Sequence, residues 1–137
     1  LTEPVLVALL FADKVIVEDK NKKKTIVGTF TRFYSDKFPV SFPTWYIYAA
    51  ATNISGDHSF SLILVLEKEM QVVYPINGKL KVEDPRAVIE LIFPVDQAIF
   101  PAAGEYTLTF NIDGKQIGSR MLEIVQLEQR GFGEVIQ

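Results

Sequence analysis

From Tyr106 the chain alternates without a break: Tyr106, Leu108, Phe110 and Ile112 are apolar, and Thr107, Thr109 and Asn111 between them are polar. Successive side chains of a strand point to opposite faces, so this period of two describes a strand with one buried and one open face. Asp113-Gly114 follows at once. A two-residue hairpin turn needs positive φ at both central positions, which glycine adopts freely and aspartate tolerates. The return strand, Lys115 to Val125, is less regular. Ile117, Ser119 and Met121 share one parity, and Leu122 and Ile124 the other. A bulge near Gly118 or Ser119 reconciles them by re-aiming the side chains after one extra residue. The other strands of the chain must complete a β core around this hairpin.

The remaining segments read as strands divided by turn signals. Pro4 opens a run, Val5 to Ala12, that is apolar on both parities and suits a strand covered on both sides. Ala12-Asp13-Lys14 interrupts it before Val15 to Val17, giving one kinked strand or two short ones that switch sheets. Thr25 to Thr31 follows, with Gly28 marking a bulge or a close backbone approach. Arg32 to Thr44 reads as the longest irregular stretch. Each of the Phe-Pro pairs at 38–39, 42–43, 93–94 and 100–101 marks a strand end, since proline cannot donate to a ladder. Trp45 to Thr52 is a strand whose Ala49, Ala50 and Ala51 leave room for something large to pack there. In His58 to Leu66, Phe60, Leu62, Leu64 and Leu66 point one way and Ser59, Ser61, Ile63 and Val65 the other. Met70 to Tyr74 is a short strand, and Ile76 to Pro85 a polar connection with an Asn77-Gly78 turn. Arg86 to Phe93 is a strand, and Asp96 to Ile99 a single helical turn.

The segment Ala103 to Leu108 resembles a strand opening in immunoglobulin-like sandwiches. There a Tyr near the strand start bonds back to upstream backbone, and the residue two further on enters the core. Tyr106 takes the corner and Leu108 the position usually held by Cys. With LLFADKVIVED and TIVGTF near the start and FPAAGEYTLTF…DGKQIG near the end, the chain resembles small uncharacterised bacterial proteins of a domain-of-unknown-function family with an immunoglobulin-like β-sandwich. That resemblance implies a fold and no assigned activity. The expected architecture is all-β: an immunoglobulin-like antiparallel β-sandwich of about eight or nine strands, one domain over residues 1–137, with a mobile tail at 126–137.

Composition narrows the function. The chain has no cysteine, which excludes disulfides, thiolate metal sites and a Cys nucleophile, and tilts the expectation toward the cytoplasm. A net charge of −3 gives no basic footprint for nucleic acid, and Lys20 to Lys24 reads as a solvated turn. Val5 to Ala12 is too short to cross a bilayer and follows Glu3 where a signal peptide carries basic residues. The chain begins with Leu1 rather than Met, which leaves room for a leader ahead of it.

No catalytic or metal constellation stands out, and no cofactor or metal is expected. His58, the only histidine, lacks partners at ligand spacing and reads as a surface residue at a strand start. The acidic residues are scattered and match no calcium loop. Two features point instead to binding. Aromatics crowd Phe30 to Tyr48; Tyr46 and Tyr48 share a face opposite Trp45, and with Tyr34 they offer a row for sugars, a small ligand or a protein. Mean hydropathy is positive, and Ile63 and Val65, Val88 and Ile92, and Val5 and Val7 lie on parities that a sandwich turns outward. Loops or another chain must cover them. The expectation is a non-enzymatic interaction module that self-associates as a homodimer through a sheet face or meets another protein; the alternative is a carbohydrate or small-ligand binder using Tyr46, Tyr48 and Trp45.

Overall fold

The alternating hairpin forms as its pattern requires. Tyr106, Leu108, Phe110 and Ile112 all enter the core, none more than 3% exposed. Asp113 and Gly114 take φ of 51° and 78°, and the register shifts between Phe110 and Asn111 so that Ile117 is the extra residue of a bulge. The hydroxyl of Tyr106 donates to the carbonyl of Ala102 at 2.6 Å.

The computed structural model describes residues 3–130 and 134–136, and among these there is no helix. Nine strands make two packed sheets: β1 (Val5–Val17), β2 (Lys24–Phe30), β3 (Arg32–Ser35), β4 (Trp45–Thr52), β5 (Gly56–Leu66), β6 (Gln71–Val82), β7 (Ile89–Val95), β8 (Gly104–Ile112) and β9 (Lys115–Gln126). One sheet has the order β2-β1-β4-β7, the other β3-β9-β8-β5-β6. The core lies between them, with Leu9, Phe11, Ile47 and Ala49 on one side and Leu62, Leu64, Leu108 and Leu122 on the other. Phe11, Phe30, Phe33, Trp45 and Phe100 form an aromatic cluster within it.

Several expectations are corrected. The second sheet is mixed, not antiparallel throughout, because β3 runs parallel to β9 from Arg32↔Glu123 to Ser35↔Gln126. This strand falls inside the stretch expected to be irregular. Residues 76–82 are strand, not connection: β6 runs unbroken through Pro75, Asn77 and Gly78. It tolerates the proline because it is an edge strand with one free side. Gly78 is not a turn glycine; the ring of Phe60 lies over it, so that a Cβ there would stand 2.5 Å from Phe60 Cε1. β7 begins at Ile89 rather than Arg86 and passes through Pro94, again on an edge. Residues 96–99 form no helical turn, and Gln97 takes φ of 59°. In the tail, Gln126 ends β9, Leu127 N–H donates to Ser35 O at 2.9 Å, and β10 (Glu128–Arg130) pairs with β11 (Glu134–Ile136). Residues 131–133 and 137 of that tail lie outside the described residues.

β1 is one continuous strand, and it does something the sequence did not announce. It pairs with β4 over Val5 to Ala12 and with β2 over Phe11 to Val17. Lys24 lies opposite Val17, while Glu90 is level with Ala50 and Ala8. In a flat sheet Val17 and Ala8 would stand about 30 Å apart, far beyond the reach of two side chains. Yet Lys24 Nζ is 2.7 Å from Glu90 Oε1. The β1–β2 arm therefore folds back over the outer face of its own sheet. The bend falls at Asp13, opposite Gly28 by register, where Gly28 takes φ of 68° and a Cβ would stand 2.3 Å from Asp13 Oδ2. Val15 and Ile26, cross-strand partners, are half-buried on the covered side, while Ile16 and Val27 are exposed. Beneath the arm Ala12 and Ala50 are fully buried, so β4 is covered on both faces.

Candidate functional site

Alternation continues on the side of the five-stranded sheet that faces away from the core. Register sets Pro75, Ile63, Thr109 and Ser119 side by side across four strands. The next row is Val72, Val65, Thr107 and Met121, and the row on the other side is Asn77, Ser61, Asn111 and Gln116. These three rows contain no charge. Val72 and Met121 are more than half exposed, and Ile63 and Val65 are half-buried between their neighbours. Asn111 Nδ2 donates to Ser61 Oγ at 3.1 Å, which ties the polar row together.

Charge returns at both ends of the band. At one end Lys79 and Lys81 on β6 lie opposite Ser59 and Asp57. At the other, Glu105 and Glu123 are cross-strand partners, Arg32 Nε bonds Glu123 Oε1 at 2.8 Å, and the turn Glu67-Lys68-Glu69 is exposed. The β6 edge itself is a poor template for strand addition. Pro75, the bulge at Val73 and the two lysines are the devices that blunt an edge. The face, not the edge, is the open apolar surface.

The aromatic residues do not form a row. Trp45 is 2% exposed and sits in the core cluster, so it offers no face to a ligand. Tyr48 is buried beneath the arm, where its hydroxyl donates to Glu90 Oε2. Burial first, and then the bond to Glu90, push the Tyr48 hydroxyl up to about 12. Burial alone would raise the Glu90 carboxyl too, but bonds from Lys24 and Tyr48 outweigh it and hold it below the usual range. Tyr46 is half-buried between Ala12 and Pro94 in the four-stranded sheet. Tyr34 is exposed on the opposite sheet, beside Val125. The structure thus brings Tyr46 and Tyr48 to one side of the protein, Tyr34 to the other and Trp45 to neither.

His58 marks the lysine end of the uncharged band. Its Nδ1 is 2.5 Å from Asp113 Oδ2 and its Nε2 is 2.7 Å from Ser55 O. Both partners only accept, so both ring nitrogens donate and the imidazolium is favoured. The bond to Asp113 and then that to Ser55 hold His58 above its ordinary value, and His58 in turn holds the Asp113 carboxyl low. Asp113 also accepts from Ser59 N at 2.9 Å. No ring nitrogen is left to accept a proton from a substrate, and the nearby Ser59 hydroxyl reaches Asp113 rather than His58. The cluster ties the β4–β5 turn to the β8–β9 turn. Among the described residues no group of three or more His, Asp or Glu is placed to hold a metal ion.

Fold and surface together define an all-β protein of two packed sheets with one outer face strapped and the other open. Residues 7–125 match the family described as Family of unknown function (DUF6941), and the chain belongs to that family. No curated protein matches it.

Proposed function

We propose that this chain is a non-enzymatic interaction module that self-associates through the outer face of the β3-β9-β8-β5-β6 sheet. The observation that carries this is the uncharged band centred on Ile63, Val65, Thr107 and Thr109, bounded at both ends by charged rows. An apolar centre with a polar rim is the anatomy of a protein interface. Five rows by four strands outline roughly 30 Å by 19 Å, about 600 Å² of flat area. A corrugated surface of that outline approaches the roughly 800 Å² per partner of a standard interface. The absence of cysteine fits a cytoplasmic setting.

We read the fold more finely as immunoglobulin-like. The Tyr106 hydroxyl bonded to Ala102 and the buried Leu108 two residues on support this, since they reproduce the tyrosine corner and the core position that follows it.

Light scattering over a concentration series tests the function. The expected result is a mass of two chains, and a single chain for Ile63→Asp, which buries a charge in the middle of the face. A wild-type mass of one chain at every concentration would overturn the proposal.

A further inference from the structure

The chain carries sulfur in two places only. It has no cysteine and two methionines, and both are on the surface: Met70 is 72% exposed in the β5–β6 turn and Met121 is 51% exposed on β9. Hydroperoxides oxidise a thioether to the sulfoxide, which turns a flexible apolar side chain into a polar one. Neither methionine belongs to the core, so that reaction leaves the packing between the sheets intact.

Position separates the two. Met70 follows Glu67-Lys68-Glu69 in the charged turn, where a polar side chain changes little. Met121 lies opposite Thr107, at the end of the row Val72, Val65, Thr107 and Met121 on the open face. On the free chain water solvates a sulfoxide oxygen there. A second copy laid over the face removes that water, and a covered acceptor without a matching donor is costly. The three rows hold no cation to meet it.

We propose that Met121 is an oxidation-sensitive switch on this face: the thioether permits self-association and the sulfoxide opposes it. This rests on the self-association proposed above. A lone pair on Sδ attacks one peroxide oxygen, the O–O bond breaks, and hydrogen peroxide leaves one oxygen on sulfur and one water. In the return step two thiols become a disulfide and the oxygen leaves as water, the chemistry of the methionine sulfoxide reductases.

Limited hydrogen peroxide treatment, with peptide mass analysis of each methionine and light scattering of the intact chain, tests this. Wild type oxidised at Met121 should self-associate about 10-fold more weakly, and reductases specific for the two sulfoxide epimers, supplied with a dithiol, should restore it. Met121→Leu keeps the apolar bulk and should associate equally before and after peroxide, although Met70 is oxidised. Met121→Gln, polar without peroxide, should associate as weakly as the oxidised wild type. If oxidation at Met121 leaves association unchanged, or if Met121→Leu loses it on peroxide treatment, Met121 is not the switch while the dimer stands. If untreated wild type is a single chain at every concentration, the underlying self-association fails and the switch with it.

Discussion

The pair Lys24–Glu90 is the point at which the arm's position can be tested. Glu90→Gln removes the negative charge while keeping size and shape, and leaves the Lys24 ammonium beside a neutral amide. The two side chains are 22% and 25% exposed. Exposed pairs contribute about 0–1 kcal/mol, and removing one member of a fully buried pair costs about 3–5 kcal/mol. A quarter-exposed pair with a second bond from Tyr48 falls between, at about 1–2 kcal/mol. For a domain of this size that corresponds to a midpoint lowered by roughly 3–8 °C. The location of the loss matters more than its size. If the pair holds the arm down, amide exchange in the arm ladder around Val15 and Ile26 should accelerate by roughly 5–30-fold, the population factor for one or two kcal/mol. Exchange in β5 and β8 should rise only as far as global unfolding requires. Acid should act on the same anchor. Glu90 titrates below its usual value of 4.5, so its contribution is present above that value and is lost as pH falls through the lower folded-state value. Equal acceleration in the arm and in β5 and β8 would refute the argument, because the pair would then support the whole sandwich rather than the strap.

Two other predictions address the ends and the core. His58 should titrate above 6.5, and Asp113 below 3.8, in the folded protein. The His58 contribution is fully present below 6.5 and lost as pH rises through its folded value; that of Asp113 is present above 3.8 and lost as pH falls through its own. The couple is thus strongest between those two pH values. Asp113→Asn keeps the turn, since Asn also tolerates positive φ, and should return the single histidine toward 6.5 in an NMR titration; an unmoved titration would show that Asp113 is not its partner. Gly78→Ala places a methyl carbon 2.5 and 2.6 Å from Phe60 Cε1 and Cζ, and should cost about 1–3 kcal/mol in denaturant unfolding. An unchanged midpoint would mean that the ring does not rest on the glycine.

What was legible in the sequence is what alternation alone determines. The apolar run Trp45 to Thr52 marks β4, Phe60 to Leu66 set the β5 faces, and the β8–β9 hairpin follows from its period and its Asp-Gly turn. Where a residue's meaning depends on a distant partner, the local reading failed. Asn77-Gly78 has the composition of a turn, and only the Phe60 ring from the neighbouring strand makes the glycine a strand residue. β3 spans four residues and pairs in parallel with a strand near the other end of the chain, so neither its length nor its pattern signals it. The candidate site was half legible. Parity alone turns Ile63 and Val65 outward, but the rows they join depend on the register of β6 and β9, and the polar composition of residues 76–82 hides the second half of β6.

The excess of outward apolar residues is met differently on the two sides of the fold. On the four-stranded sheet the outer side of β4 carries Ala50 and Tyr48, and a ribbon can lie close against a surface with so small a residue. The arm takes that place, and the hydroxyl it buries is bonded to a carboxylate that a lysine of the arm itself neutralises. Among the described residues the five-stranded sheet carries no such ribbon. Its β5–β6 and β8–β9 connections are tight turns at Glu67 to Met70 and Asp113-Gly114, too short to cross the face. The apolar side chains there alternate with threonine, serine and asparagine rather than forming a continuous greasy surface. A face of this kind is wet enough to be stable in a free chain and apolar enough to gain from association. The burial that the first sheet obtains from its own arm is, on the second, what the proposed self-association would supply.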